Sequence, residues 1–317
     1  MKRNLILYAA ALLMGAAGIL TSCSEDELNS ESVITVPMTE KNAFDKWLDV
    51  NYVIPYNIKF IYRYEENQSD FGYYTVPAKM EYSIKMAHLV KYICIESYNE
   101  VGGVDFTRAN FPKEFFLIGE NEYKNNGSRI LGTAEGGKKI LLTGINHLDE
   151  YLGDIQALTH EYLKTIHHEF THIMNQTRPM PTDFQFVSGD TYICSEWSNY
   201  PYVNQAYYLG QGHITAYSQQ EYSEDFAEML SMYVCYPESQ WNEWLAMADN
   251  YAEKGDSING IEPTHIDASG RISEKLSIVK RYMKDVWNID LDQLRAVIQR
   301  REAEIAAGKV DLDDLSI

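Results

Sequence analysis

The sequence predicts an α+β fold with a small N-terminal sheet and a mainly helical C-terminal part. Three observations predict it. Short apolar runs of strand type lie in the first half, at residues 56–62, 114–118 and 139–143, segments of helical period dominate the second half, and no internal repeat separates the two. The chain has 317 residues, 45% of them hydrophobic and 13% aromatic, enough to bury a sizeable core. Lys and Arg number 27 against 46 Asp and Glu, a net charge of −19. No broad basic surface is on offer to a phosphate backbone, so nucleic acid is not an expected partner.

The elements follow in chain order. Lys2 and Arg3 precede an apolar run from Leu5 to Leu20 that stops at Leu20-Thr21-Ser22-Cys23. That tetrapeptide resembles the lipobox of bacterial lipoproteins, which makes residues 1–22 a signal peptide and Cys23 the lipidated residue. The acidic Ser24-Glu25-Asp26-Glu27 resembles the signal that sends lipoproteins of Bacteroides-type bacteria to the outer face of the outer membrane. Residues 23–42 then read as a flexible acidic tether, and 43–317 as a single domain with a helical subdomain from about 213. The membrane is expected to act only as the attachment point for a monomer. Cys94, Cys194 and Cys235 allow at most one disulfide.

Phe44, Trp47 and Leu48 suggest a short helix from Ala43 to Tyr52, and the alternation from Tyr56 to Tyr62 suggests a strand. Ala78–Tyr98 reads as an amphipathic helix whose stripe is Met80, Ile84, Leu89, Tyr92 and Ile93. Two further strands, Glu114–Ile118 and Lys139–Thr143, are separated by the turn-rich Asn125-Asn126-Gly127 and Gly136-Gly137. Lys139–Thr143 is read as an edge strand that pairs an extended substrate through Leu141, Leu142 and Thr143. A helix from Ile155 to Gln176 ends at Arg178-Pro179, and an aromatic-rich loop runs from Pro179 to Gly212. Helices at Glu221–Cys235, Glu238–Asn250, Ile272–Val286 and Leu291–Ala307 complete the chain.

The strongest chemical signal is His168-Glu169-Phe170-Thr171-His172. Residues four apart share a helix face, so both imidazoles can reach one ion, and Glu169 projects about 100° away, where it can hold a water. Zn²⁺ suits two neutral histidines and a carboxylate. A metzincin would carry Gly at 175 and His at 178, but the chain has Asn175 and Arg178, which excludes that class. Candidates for the third ligand are Glu196, His213 and the run Glu224-Asp225-Phe226-Ala227-Glu228. In that run Glu224 and Glu228 share a face, so one can ligate while the other hydrogen-bonds a ligand His from behind, with Asp225 pointing elsewhere. His167 sits off the metal face, and His88, His147, His160 and His265 have no partners at ligand spacing.

These motifs resemble known peptidases. The 168–172 motif, followed by Tyr217 and by Glu224-Asp225-Phe226-Ala227-Glu228, is similar to the catalytic core of the anthrax lethal factor metallopeptidase. It is more similar still to the zinc-binding metallopeptidase lipoproteins of Bacteroides-type bacteria, which also share Trp47-Leu48, Asn51 and Pro55-Tyr56-Asn57-Ile58. The resemblance implies a zincin-like metallopeptidase fold of gluzincin type. It makes His168, His172 and Glu224 the ligands of one zinc per chain, Glu169 the general base and Tyr217 the oxyanion donor, with a protein or peptide as substrate. Glu228 and Asp225 are the expected supporting carboxylates, and His213 stands where that family usually has an aromatic residue. Two other readings stay open at this stage: a surface binding protein with a structural zinc, and a zinc hydrolase of a non-peptide amide.

Overall fold

The computed structural model describes residues 40–65, 75–123, 129–130, 132–135 and 138–317, with backbone alone for 129–135. The proposed signal peptide, Cys23, most of the tether, Asn125-Asn126-Gly127 and Gly136-Gly137 lie outside the described residues. The chain divides into two units, Met1–Lys41 and Asn42–Ile317, and every helix and strand described belongs to the second.

The fold is mixed, as the hydrophobic pattern predicts. Helix α1 starts at Ala43–Leu48 under an Asn42 capping box, widens through a π turn at Asp49–Val53, and ends at Ile54–Tyr56. It is thus longer than the expected 43–52. Asn57 stops it in a left-handed conformation (φ 53°, ψ 43°). That turn shortens the expected 56–62 strand to β1, Lys59–Ile61. Helix α2 runs from Met80–Leu89 through a π turn, Val90–Ile95, into Glu96–Gly102, followed by α3, Val104–Asn110. Met80, placed on the buried stripe by periodicity, is 50% exposed because it opens the helix before the helix meets the core.

Strands β2 (Glu114–Leu117), β3 (Glu122–Tyr123), β4 (Arg129–Ile130), β5 (Gly132–Glu135) and β6 (Lys139–Leu142) complete the β structure. The main sheet has the order β1-β2-β6-β5, parallel except for β5, and β3 pairs with β4 separately. Phe115 pairs in register with Ile140, and Phe116 with Leu141. Phe60, Phe115, Leu117, Ile140 and Leu142 face the main core, while Ile61, Phe116, Ile118 and Leu141 form a second cluster on the other face. Coverage of both faces explains why these strands read as continuous apolar runs.

This topology corrects one expectation. β6 is hydrogen-bonded to β2 on one side and β5 on the other, so Leu141 and Leu142 cannot add a substrate strand, and Thr143 lies just beyond the end of β6. Among the described residues the outer strand beside β6 is β5, which packs along the helix containing the histidine motif.

That helix, α4, begins at Ile155–Leu158 under the Asp154 cap, passes through a π turn at Thr159–Leu163 and ends as Lys164–Thr177. The aromatic stretch after it contains the turns Phe184–Val187 and Cys194–Ser198 and a short helix, α5 (Gln205–Gly210), which periodicity did not find because only six residues repeat. Helices α6 (Tyr222–Cys235), α7 (Glu238–Lys254), α8 (Ala268–Trp287) and α9 (Leu291–Ala306) lie close to their expected limits. α6 packs against α4, α8 and α9. None of the described helices is long and apolar enough to cross a membrane.

The C-terminal helix reaches the start of α4 through a buried carboxyl: Thr159 Oγ1 donates to Glu302 Oε1 at 2.7 Å. Burial pushes the Glu302 carboxyl up to about 8, with the Thr159 bond offsetting only part of it. A raised folded-state value means the folded protein binds this proton more tightly than the unfolded chain. Its contribution is therefore complete below the ordinary carboxylate value and is lost as pH rises towards about 8. Glu302→Gln is expected to leave the melting temperature near wild type at pH 5 and to raise it at pH 9. Thermal unfolding of both proteins across this range checks it, and equal curves at pH 9 would refute the assignment.

Candidate active site

The local sequence of α4 decides which side chains can meet. Ile166, His167, Phe170, Thr171, Ile173 and Met174 are buried, and Phe170 packs edge-on to Tyr98 and Phe111 at 4.9 Å between centroids. This anchors the apolar side of the helix and leaves His168 and His172 together on another face. His167 turns into the core, where Tyr98 Oη lies 3.2 Å from its Nδ1 and burial lowers its pKa to about 3, so it is neutral.

Glu224, in the first turn of α6, closes the site. Its Oε2 is 3.0 Å from His168 Nε2 and 3.1 Å from His172 Nε2, and the two ring nitrogens are 3.1 Å apart. Among the described residues these three donors form a group that could hold a metal ion. Ligands about 2.0–2.1 Å from a tetrahedral zinc stand roughly 3.3 Å apart, so this nearly equilateral triangle has the size of one face of such a site. Two imidazole nitrogens facing each other beside a carboxylate also suit a shared cation, because both lone pairs can then point at one centre. The donor set therefore fits zinc, with one further position for water or substrate.

Charge in the site is strongly coupled. Burial alone would lower the His168 pKa, but Glu224 and Glu228 outweigh it and push it up to about 10. Glu224 goes the other way: burial would raise it, but the two histidines bring it down to about 2. Glu228, one helical turn along and 1% exposed, lies 2.8 Å from His168 Nδ1. Lys164 Nζ donates to Glu228 at 2.8 Å and Thr215 Oγ1 donates to it at 2.7 Å, and in spite of its burial Lys164 and His168 keep the carboxylate ionised.

Tyr217 occupies the short turn Tyr217–Gln219 just before α6, with its ring 5.8 Å from that of His168. Trp197 packs edge-on to it at 4.9 Å, and Trp197 Nε1 donates to Gln220 Oε1. Burial and then the carboxylates of Glu224, Glu169 and Glu228 hold the phenol well above its usual range, so it remains a hydrogen-bond donor. Glu169 is half-buried, and its charge acts on both His168 and Tyr217.

Asp225 does not support the histidines. About 100° of helical rotation from Glu224 turns it towards α8, where it pairs with Lys275 at 2.7 Å. The other ligand candidates are elsewhere too: Glu196 is exposed and accepts from Asn199 Nδ2, and His213 is buried against Thr191 and Asp225. His88 stacks near Trp47, His147 bridges Glu120 and Glu150, and His160 faces Tyr236. Cys94, Cys194 and Cys235 are all free thiols. Lys164 and Thr215 escape a reading by sequence. Lys164 has a signal, since it lies four residues before His168 on the same face, whereas Thr215 sits in a short irregular segment without one. Trp197, which the sequence offers with the other aromatics of 184–208 as a groove residue, packs on Tyr217.

A solved structure from Bacteroides caccae is 39% identical, covering 90% of this chain and 100% of its own, with a TM-score of 0.70. No curated protein matches the chain. Residues 37–292 match the family described as "Putative zinc-binding metallo-peptidase", the same description given to the Bacteroides caccae protein. The chain belongs to this zinc-binding metallo-peptidase family.

Proposed function

We propose that the protein is a surface lipoprotein that hydrolyses peptide bonds, with one zinc held by His168, His172 and Glu224. The observation carrying this reading is the 3.0–3.1 Å triangle of their donor atoms, flanked by Glu169 and Tyr217. Zinc in such a site supplies Lewis acidity, polarising a carbonyl and lowering the pKa of a water to roughly 7. The remaining steps belong to the chain. Glu169 takes the proton of the attacking water and passes it to the leaving amine. Tyr217 donates its phenol hydrogen to the oxygen on which negative charge develops. Glu228, held by Lys164 and Thr215, faces His168 Nδ1 and fixes the ring with Nε2 towards the ligand triangle.

The proposed placement is residues 1–22 as signal peptide, a lipid on Cys23, a tether to residue 42, and a catalytic domain from 43 to 317 acting as a monomer at the outer face of the outer membrane. The charged start, the apolar run to Leu20 and the acidic residues after Cys23 support it. More than one acyl chain on Cys23 gives durable attachment.

Zinc loading of the full chain should give about one metal per molecule, and far less would count against the reading. Glu169→Gln should retain zinc yet lose almost all hydrolysis of a complex peptide mixture. Unchanged cleavage would remove Glu169 from the mechanism, and no cleavage by wild type, with activity on acylated sugars or peptidoglycan instead, would favour a non-peptide amide. Tyr217→Phe should lower kcat by about 10²–10³ with little change in KM. Cys23→Ser should abolish incorporation of labelled palmitate and release the protein from the membrane fraction, whereas continued labelling would sink the lipidation site.

A further inference from the structure

Three fully buried ionisable side chains stand apart from the hydrolytic chemistry: Asp225, His213 and Lys275 are each 0% exposed. Lys275 Nζ of α8 donates to Asp225 Oδ2 at 2.7 Å, Tyr192 Oη donates to the same oxygen at 3.0 Å, and His213 Nδ1 is 3.3 Å from it. On the far side of the imidazole, Thr191 Oγ1 lies 2.7 Å from His213 Nε2. One carboxylate oxygen thus gathers α8, the segment around Tyr192 and the segment leading to Tyr217. Burying such a pair yields little net stability, because desolvation offsets most of the attraction. Its effect on position is therefore the informative one.

The element it positions is the first turn of α6. Glu221 stands at the N-cap in extended conformation, but its side chain caps no amide of the turn and accepts instead from the Ser223 hydroxyl at 2.8 Å. By contrast, α8 and α9 start under Asp267 and Asp290, whose carboxylates accept from the first-turn amides. A helix start without a side-chain cap is prone to fray. Yet this turn carries Glu224 to His168 and His172. Glu228 fixes the next turn, through Lys164 and Thr215, and does not reach the helix start.

We propose that the buried Asp225–Lys275 ion pair is a positioning device that stands in for the missing cap and holds Glu224 in place opposite the two histidines. α8 thereby becomes part of the frame of the metal site. The inference rests on the zinc reading of that site and extends it to a C-terminal helix.

The test uses the full chain with Asp225→Asn and Lys275→Met together, which removes both charges at once and leaves none uncompensated. A cooperative thermal transition is expected to persist. Zinc affinity, measured by competition with a chromogenic chelator, should fall by about tenfold or more, and the visible absorption of the Co²⁺-loaded protein should change. Adding Glu221→Asp, which supplies an N-cap carboxylate, should recover much of the lost affinity. Zinc binding as tight as wild type with an unchanged Co²⁺ spectrum would overturn the inference while leaving the metal reading intact. A wild type that binds no zinc overturns both. A measurement on unaltered protein is independent of how the variant folds: amides 225–228 should be protected from hydrogen exchange in metal-free wild type, and free exchange there would also overturn the proposal.

Discussion

The packing of α4 against α6 is the constraint on which the site depends. The contact is ionic at its centre, where His168, Glu224, Glu228 and Lys164 meet, and each helix is anchored on another side by a fully buried ring, Phe170 against Tyr98 and Phe111 and Phe226 against Phe184 and Tyr282. Charges removed from water at this depth cost several kcal/mol each unless they are paired and hydrogen-bonded. Each of these groups has a partner on the opposite helix or the adjoining loop, so the low-energy arrangement is also the one that collects the donor atoms. A rotation of either helix that separated Glu224 from the imidazoles would strand Glu228 as well.

The rest of the fold maintains that crossing. β5 lies along α4 and stabilises it from the sheet side, while Phe170 ties the helix to Tyr98 and Phe111. The C-terminal helices act from the other direction. α9 reaches the beginning of α4 through Glu302 and Thr159, and α8 reaches the beginning of α6 through Lys275 and Asp225. These helices carry no ligand, yet they bear on the ends of the two that do. Tyr217 is placed by a different device: a short turn ahead of α6, with the indole of Trp197 packed on its ring and Gln220 holding the indole.

Much of this is legible in the sequence wherever the signal is periodic. The limits of α6 and α9 shift by about a residue, and helical spacing pairs His168 with His172 and Glu224 with Glu228 correctly. The misreadings have separate causes. Leu141–Thr143 look like an edge strand because alternation describes one strand and carries no information about how many neighbours it has; β6 has two. Helical rotation already turns Asp225 away from Glu224, so grouping it with Glu228 as a supporting carboxylate fails; what sequence could not show is that it faces Lys275 on α8. Met80 belongs to the apolar stripe of α2 by period, but the core does not extend to the first residue of that helix.

The sequence alone determined the local geometry: backbone hydrogen bonds fix the pitch of a helix, so His168 and His172 share a face whatever surrounds them, and Glu224 and Glu228 do the same. Only the tertiary structure decided which faces meet. Glu224 is 56 residues from His168 and Lys275 is 50 from Asp225. No local rule spans those separations; the packing of α4, α6 and α8 around their buried aromatic residues does.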